Sequence, residues 1–148
     1  MTSIHLMDAM KDDLLELDLD ILAPASLNDI IITENASKVK AKIILELANG
    51  PISTDADNIL FKKGTIVLPD ILTNAGGVTV SYFEWMQNLS GDHWDEKTVL
   101  EKLDKKMTDA FHLLLDKYVK PHKLSFRSAA YIRAIKRIIQ AEKDRGRI

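Results

Sequence analysis

The chain has 148 residues, 46% hydrophobic and 28% charged, with a formal net charge of −2 and no cysteine. That length gives one domain, or two small ones, able to bury roughly 70% of the unfolded surface, and the balance of apolar and charged residues excludes a disordered chain. The lack of cysteine excludes a disulfide scaffold, a thiolate zinc site and a thiol nucleophile, and no apolar run approaches the ~18 residues of a membrane helix. Asp8, Lys11, Asp12 and Asp13 interrupt any apolar signal-peptide centre, so a cytoplasmic protein without membrane contact is expected.

Leu17 to Ala23 is a short apolar run that stops at Pro24, as a strand running into a functional loop does. Lys42 to Leu47 is a second, β-branched and apolar, halted by Ala48-Asn49-Gly50-Pro51, where Gly can supply a positive φ and Pro a fixed one. Thr65 to Leu68, running into Pro69-Asp70, is a third. Between the last two, Ser53 to Lys63 reads as a helix: Ser53 or Thr54 as N-cap, Asp55 and Asp57 early, Gly64 to end it. Strand, helix and strand at this spacing predict a right-handed parallel crossover. The expected fold is therefore α/β, with an open parallel sheet of about three strands followed by C-terminal helices. Ligands of such sheets bind beyond the carboxyl ends of the strands. Pro24 to Asp29, Ala48 to Pro51 and Pro69 to Gly77 are accordingly expected along one edge. Beyond residue 77 the pattern is helical. Val78 to Leu89 is aromatic-rich. Leu100, Leu103, Met107, Ala110, Phe111, Leu114 and Tyr118 trace one face of a long helix that Pro121 is expected to end, and a last helix spans roughly Ser125 to Lys143.

Charge is distributed unevenly. Residues 117–148 hold ten Lys or Arg against two acids, Glu142 and Asp144. Nucleic-acid binding is one reading; the preferred one puts Arg127, Arg133, Lys136, Arg137 and Lys143 on the solvated face of an amphipathic helix that pairs with the acidic body. No nucleic-acid partner is expected. The four histidines, His5, His93, His112 and His122, lack metal-ligand spacing, and most are expected at the surface. No metal site is expected. Ser81 is in no Gly-x-Ser-x-Gly elbow, Gly76-Gly77 is a weak phosphate-loop signal, and Phe83, Trp85 and Met86 read as packing residues. The stretch Pro69 to Asn88 admits two readings. One is a strand exit and polar turn leading to a helix whose first turn offers its amides and the Ser81 hydroxyl to an anion. The other is a glycine cap followed by a buried aromatic helix. Spacing leaves both open.

Pro69-Asp70-Ile71-Leu72-Thr73-Asn74-Ala75-Gly76-Gly77-Val78 and its continuation Ser81-Tyr82-Phe83-Glu84-Trp85, with Asp20-Ile21-Leu22-Ala23-Pro24-Ala25 and Ala48-Asn49-Gly50-Pro51 upstream and Arg127-Ser128-Ala129-Ala130-Tyr131 downstream, resemble the C-terminal part of a glutamate dehydrogenase, in the Glu/Leu/Phe/Val dehydrogenase superfamily. The resemblance runs in family order from about Leu14 onward, and residues 1 to about 13 fit it poorly. It implies a partial Rossmann-like sheet, with residues 1–17 as a connecting segment, 18–77 as half of a dinucleotide-binding domain and 78–148 as the C-terminal helical part. It further implies that Ala25 borders the nicotinamide of NAD or NADP, that Asn49 and Asn74 approach its ribose and carboxamide, that Val78 lines the substrate pocket, and that Ser81 binds the distal carboxylate of glutamate or 2-oxoglutarate. Asp29 stands where the family usually has Asn, and Leu47 where it usually has Gly.

The chain carries no Gly-x-Gly-x-x-Gly fingerprint, and the family's catalytic lysine falls outside the matching part, so no catalytic residue is assigned. The expectation is the nicotinamide-side piece of an enzyme that oxidatively deaminates glutamate, inactive by itself, whose partners are its own copies or the missing N-terminal half. The rival is a non-catalytic α/β module that docks on a protein partner through an exposed sheet edge.

Overall fold

The computed structural model describes residues 14–148. Most of the expected connecting segment, residues 1–13, lies outside the described residues; of its remainder, Leu15 is buried in the core and Glu16 pairs with Lys38 at 3.2 Å. The chain divides into two compact units, one ending at Val67 and the other running from Leu68 to Ile148.

β1 (Ile21–Leu22), β2 (Ile43–Leu45) and β3 (Ile66–Leu68), the last running up to the boundary of the first unit, form a sheet in the order β1-β2-β3. Its strands run parallel as the sequence predicts. Ile21 pairs with Ile43 and Leu22 with Ile44, and the Ile66 N–H reaches the Lys42 carbonyl at 3.0 Å. The strands are shorter than their apolar runs, for a visible reason. The N–H groups of Leu47 and Ala48 both turn onto the Pro24 carbonyl, at 2.9 Å each, which no regular ladder permits, so β2 stops at Leu45.

Helix α1 (Thr33–Ala36) has no counterpart in the sequence reading: a single turn leaves no periodicity to detect. It is held by Asn35, whose Oδ1 accepts the Ile32 N–H at 2.8 Å and whose Nδ2 donates to the Ile30 carbonyl at 2.9 Å. Helix α2 (Thr54–Lys63) forms where expected. The Ser53 hydroxyl accepts the Ala56 N–H, and Gly64 closes the helix at φ 87°, a conformation that favours glycine. Ile31, Val39, Ile44 and Leu60, all fully buried, centre the core between the helices and the sheet.

The second unit is helical: α3 (Asp70–Thr73), α4 (Ala75–Ser90), α5 (Glu96–Leu114), a π-helical segment Leu115–Val119, α6 (Lys120–His122) and α7 (Phe126–Asp144). Its core joins Leu72, Leu114, Phe126, Ala129 and Ala130, with the rings of Phe111 and Phe126 stacked at 5.3 Å. Two expectations fail here. Pro69 to Gly77 is no polar turn: Pro69 is fully buried and everything after it except Asn74 is helical. Nor does Pro121 end the long helix, which runs on to His122. Proline lacks the N–H that would reach back four residues, and its ring crowds that carbonyl. The preceding turn widens to take it, with the Lys120 N–H bonding the Leu115 carbonyl five residues back.

Ser125 caps α7 through the Ser128 N–H at 3.1 Å. Ser125→Ala should lower stability by about 1 kcal/mol in urea denaturation and Ser125→Asp by much less. Asp95 caps α5 by accepting the Thr98 N–H at 2.8 Å, and hydrogen bonding from the Thr98 side chain first and its N–H second holds the Asp95 carboxyl below the ordinary value of 3.8. A depressed pKa makes the cap's contribution complete above that value and lost as pH falls through the lowered one. In an acid titration followed by circular dichroism, Asp95→Asn should flatten this part of the transition.

Candidate functional site

At the carboxyl end of the sheet the two exit loops of the first unit are laced together. Pro24 receives Leu47 and Ala48; Pro51 likewise receives the N–H groups of Ile30 and Ile31 at 3.0 Å each, and Asp29 N–H donates to the Gly50 carbonyl at 2.9 Å. Ile31 and Ile52 then bridge in parallel. This lacing brings Ala25 and Asn49, both exposed, to one edge, as the sequence predicts for strand exits. Asp29 adopts φ 48°. Asn and Asp are the side chains that best tolerate this left-handed geometry, so aspartate keeps the backbone the family's Asn would have. Leu47 is exposed and Glu46, beside it, is fully buried.

In the second unit, Asn74 is the hinge between α3 and α4, its N–H bound to the Asp70 carbonyl at 2.8 Å. Val78 and Ser81 follow at four and seven residues, which sets Asn74, Val78 and Ser81 in one stripe along α4. The stripe is open: Asn74 is half-buried, Ser81 exposed and Val78 69% exposed. Because α4 begins at Ala75, Ser81 lies in its second turn and not, as expected, in the first. The helix terminus therefore has little hold on an anion at Ser81, since that effect fades beyond the first turn. A different property marks the residue. Thr79 and Ser90 turn their hydroxyls back onto the Ala75 and Met86 carbonyls, at 2.7 and 3.1 Å. The Ser81 hydroxyl has no partner among the described residues and faces solvent.

The buried aromatic helix is only partly realised: Phe83 is buried against Trp94, but Trp85 is 57% exposed and Met86 is also exposed. Gly76 and Gly77 lie inside α4, where a side chain at Gly76 would touch Leu103, so they form no phosphate loop. His93, His112 and His122 are exposed, as expected, and no metal-ligating cluster occurs among the described residues.

Arg127 departs from its expected place on a solvated face. Its guanidinium lies 3.6 Å from the Asp70 carboxylate, with side chains 18% and 21% exposed. Asp70 also accepts the Ile71 N–H at 2.7 Å. The pair ties the start of α7 to the turn that carries Asn74. Helix periodicity puts Arg127 one residue past the buried Phe126, and the available signal for the pairing was its place in the first turn of a Ser-capped helix. A double-mutant cycle on Asp70→Asn and Arg127→Met should return a coupling of about 0.5–1 kcal/mol in thermal or urea unfolding.

Comparison with known proteins adds the following. The family model described as Glutamate/Leucine/Phenylalanine/Valine dehydrogenase matches residues 3–146, so the likeness extends well before Leu14, where the sequence reading began it. A glutamate dehydrogenase of Thermotoga maritima is 50% identical over 136 residues, 92% of this chain and 32% of that protein. One of Aeropyrum pernix is 47% identical over 137 residues, 90% of this chain and 33% of that protein. The crystal structure of the hetero-hexameric glutamate dehydrogenase of Thermus thermophilus, in its Leu-bound form, superposes with a TM-score of 0.88 at 26% identity, over 97% of this chain and 34% of that one. The chain thus spans about a third of the length of the curated relatives it matches.

Proposed function

Because the chain belongs to the Glutamate/Leucine/Phenylalanine/Valine dehydrogenase family, we propose that it is the nicotinamide-side portion of a glutamate dehydrogenase, with residues 18–77 as half of the dinucleotide-binding domain and 78–148 as the C-terminal helical part. The reaction is oxidative deamination of glutamate to 2-oxoglutarate, with NAD or NADP as oxidant. The observation that carries this reading is the open stripe of Asn74, Val78 and Ser81 with its uncommitted hydroxyl.

The residues fit a nicotinamide nucleotide. Ala25 is small and exposed at the exit of β1, where a flat ring needs close approach, and Asn49 is exposed at the exit of β2. In this reading Ala25 borders the nicotinamide, and the side-chain amides of Asn49 and Asn74, each able to donate and accept, meet the ribose and carboxamide. When bound, the cofactor accepts a hydride from the substrate carbon. Val78 excludes water beside that carbon, and the Ser81 hydroxyl donates to the distal carboxylate of glutamate, the feature that separates it from the branched and aromatic substrates of the wider family.

In a complete enzyme built around this segment, Ser81→Ala should lose a charge-assisted hydrogen bond of about 1.5–3 kcal/mol, or roughly ten- to a hundred-fold in kcat/KM for glutamate. Norvaline, lacking the distal carboxylate, should be affected far less. Equal losses for both would make Ser81 a structural residue. The 148-residue chain alone should show no turnover above background with glutamate and either cofactor.

Exposed apolar residues favour association with other chains as a second property. Ile21 and Ile66, on the two edge strands, are 59% and 48% exposed, and Tyr82, Trp85 and Leu89 continue the open face of α4. Sheet edges without a paired strand among the described residues, and apolar patches of this kind, recruit partners. Light scattering should find copies of the chain associating; a clean monomer over a wide concentration range would count against it.

A further inference from the structure

We propose that a groove between α3, α5 and α7 is a binding site for a small carboxylate with an apolar body. The groove encloses about 400 Å³, within the range of small-molecule pockets and room for about a dozen water-sized groups. Its floor is apolar, formed by Leu72, Leu114 and Ala130, all buried members of the second unit's core. Its rim is cationic: Lys106 from α5 and Arg133 and Arg137 from α7.

The state of those cations carries the inference. Elsewhere in the unit Lys97, Lys105, Lys120, Arg127, Arg145 and Arg147 each pair with a carboxylate, and Lys102 and Lys136 lie over aromatic rings. Lys106, Arg133 and Arg137 have no such partner among the described residues, and unlike Lys117, Lys123 and Lys143, which also lack one, they converge on a single groove. The one acid lining the groove, Asp109, is already engaged by Lys105 at 2.7 Å. Ala130, Arg133, Ala134 and Arg137 advance along α7 by threes and fours, so the two guanidinium groups share the face that holds the floor. Two adjacent guanidinium forks suit a planar carboxylate, which they can grip bidentately, and the depth of apolar floor beneath them suits a short hydrocarbon chain. A nucleic acid is disfavoured, since no aromatic residue lines the groove for base stacking.

Octanoate, of about ten non-hydrogen atoms, matches the volume and serves as the probe, with 1-octanol as its neutral counterpart. Calorimetry and amide chemical-shift mapping on the full chain should show saturable octanoate binding with shifts centred on Leu72, Leu113 and Ala130. The Arg133→Gln, Arg137→Gln double variant should bind at least tenfold more weakly with unchanged Tm, as should 1-octanol on the unmodified chain. Ala134→Phe, which fills the groove without touching its charge, should abolish binding, and a retained Tm separates that outcome from misfolding. Absence of saturable binding, shifts mapping elsewhere, or equal affinity for octanoate in both variants would overturn the proposal. So would an acidic amphipathic peptide occupying the groove that octanoate leaves empty.

Discussion

Two proline carbonyls govern the first unit. Pro24 and Pro51 have no N–H to offer a strand ladder, so each ends the run of sheet before it. Each then offers both lone pairs of one oxygen to the opposite loop: Pro24 to Leu47 and Ala48, Pro51 to Ile30 and Ile31. The donors that the short strands cannot satisfy are satisfied there. Strand length, the parallel bridge from Ile31 to Ile52 and the placing of Ala25 and Asn49 on one edge follow from that exchange. Backbone donors paired in this way hold the two loops in a fixed relation to each other.

The second unit meets the same requirement with helices. Pro69, fully buried, again ends a strand, and its carbonyl accepts the N–H groups of Leu72 and Thr73 to start α3. That single turn reverses into α4 at Asn74, and the half-buried Asp70 and Arg127 hold it against the start of α7. Apart from the half-buried Asn74, the side chains with proposed chemical roles are open to solvent, while Asp70 and Arg127, which hold the turn that carries them, are paired. Substitutions at the exposed Val78 or Ser81 should therefore have little effect on folding, whereas those at Leu72, Ala129 or Phe126 should destabilise the unit.

Much of this was legible in the sequence where one residue type has one physical use. Ser53 and Gly64 bracket α2, Ser125 opens α7, and three apolar runs halted by proline or Asn-Gly-Pro are the three strands of the sheet. Family motifs placed the chain among the dehydrogenases, and the family model agrees. What escaped depends on contacts beyond the local pattern. The turns α1 and α3 are too short for periodicity. Ser81 was set one helical turn too early because Gly76-Gly77 reads as a break, yet both residues continue a helix packed near Leu103. Arg127 looked like its solvated neighbours because nothing local announces Asp70, more than fifty residues earlier. Trp85 and Met86 were expected inside on hydrophobicity alone, which fails for a helix apolar on more sides than its own unit covers.

The wide turn at Leu115–Val119 has a consequence for how this chain can change through evolution. A π turn holds one residue more than the α-helical turn it replaces, and that residue advances the helix by about 100°. Phe111 and Leu114 before it, Tyr118 and Val119 within it and Phe126 beyond it all belong to the same core cluster, so the core is packed in the phase that the extra residue sets. Deleting a single residue between Leu115 and Val119 would restore an ordinary helix locally, yet turn Pro121, Lys123 and the Ser125 cap by about 100° relative to Phe111. The stacked pair Phe111 and Phe126 would then part. Length variants in this lineage should accordingly be rare inside the segment, and should appear instead in the exposed Gly91 to His93 connection before α5, where no core contact depends on phase.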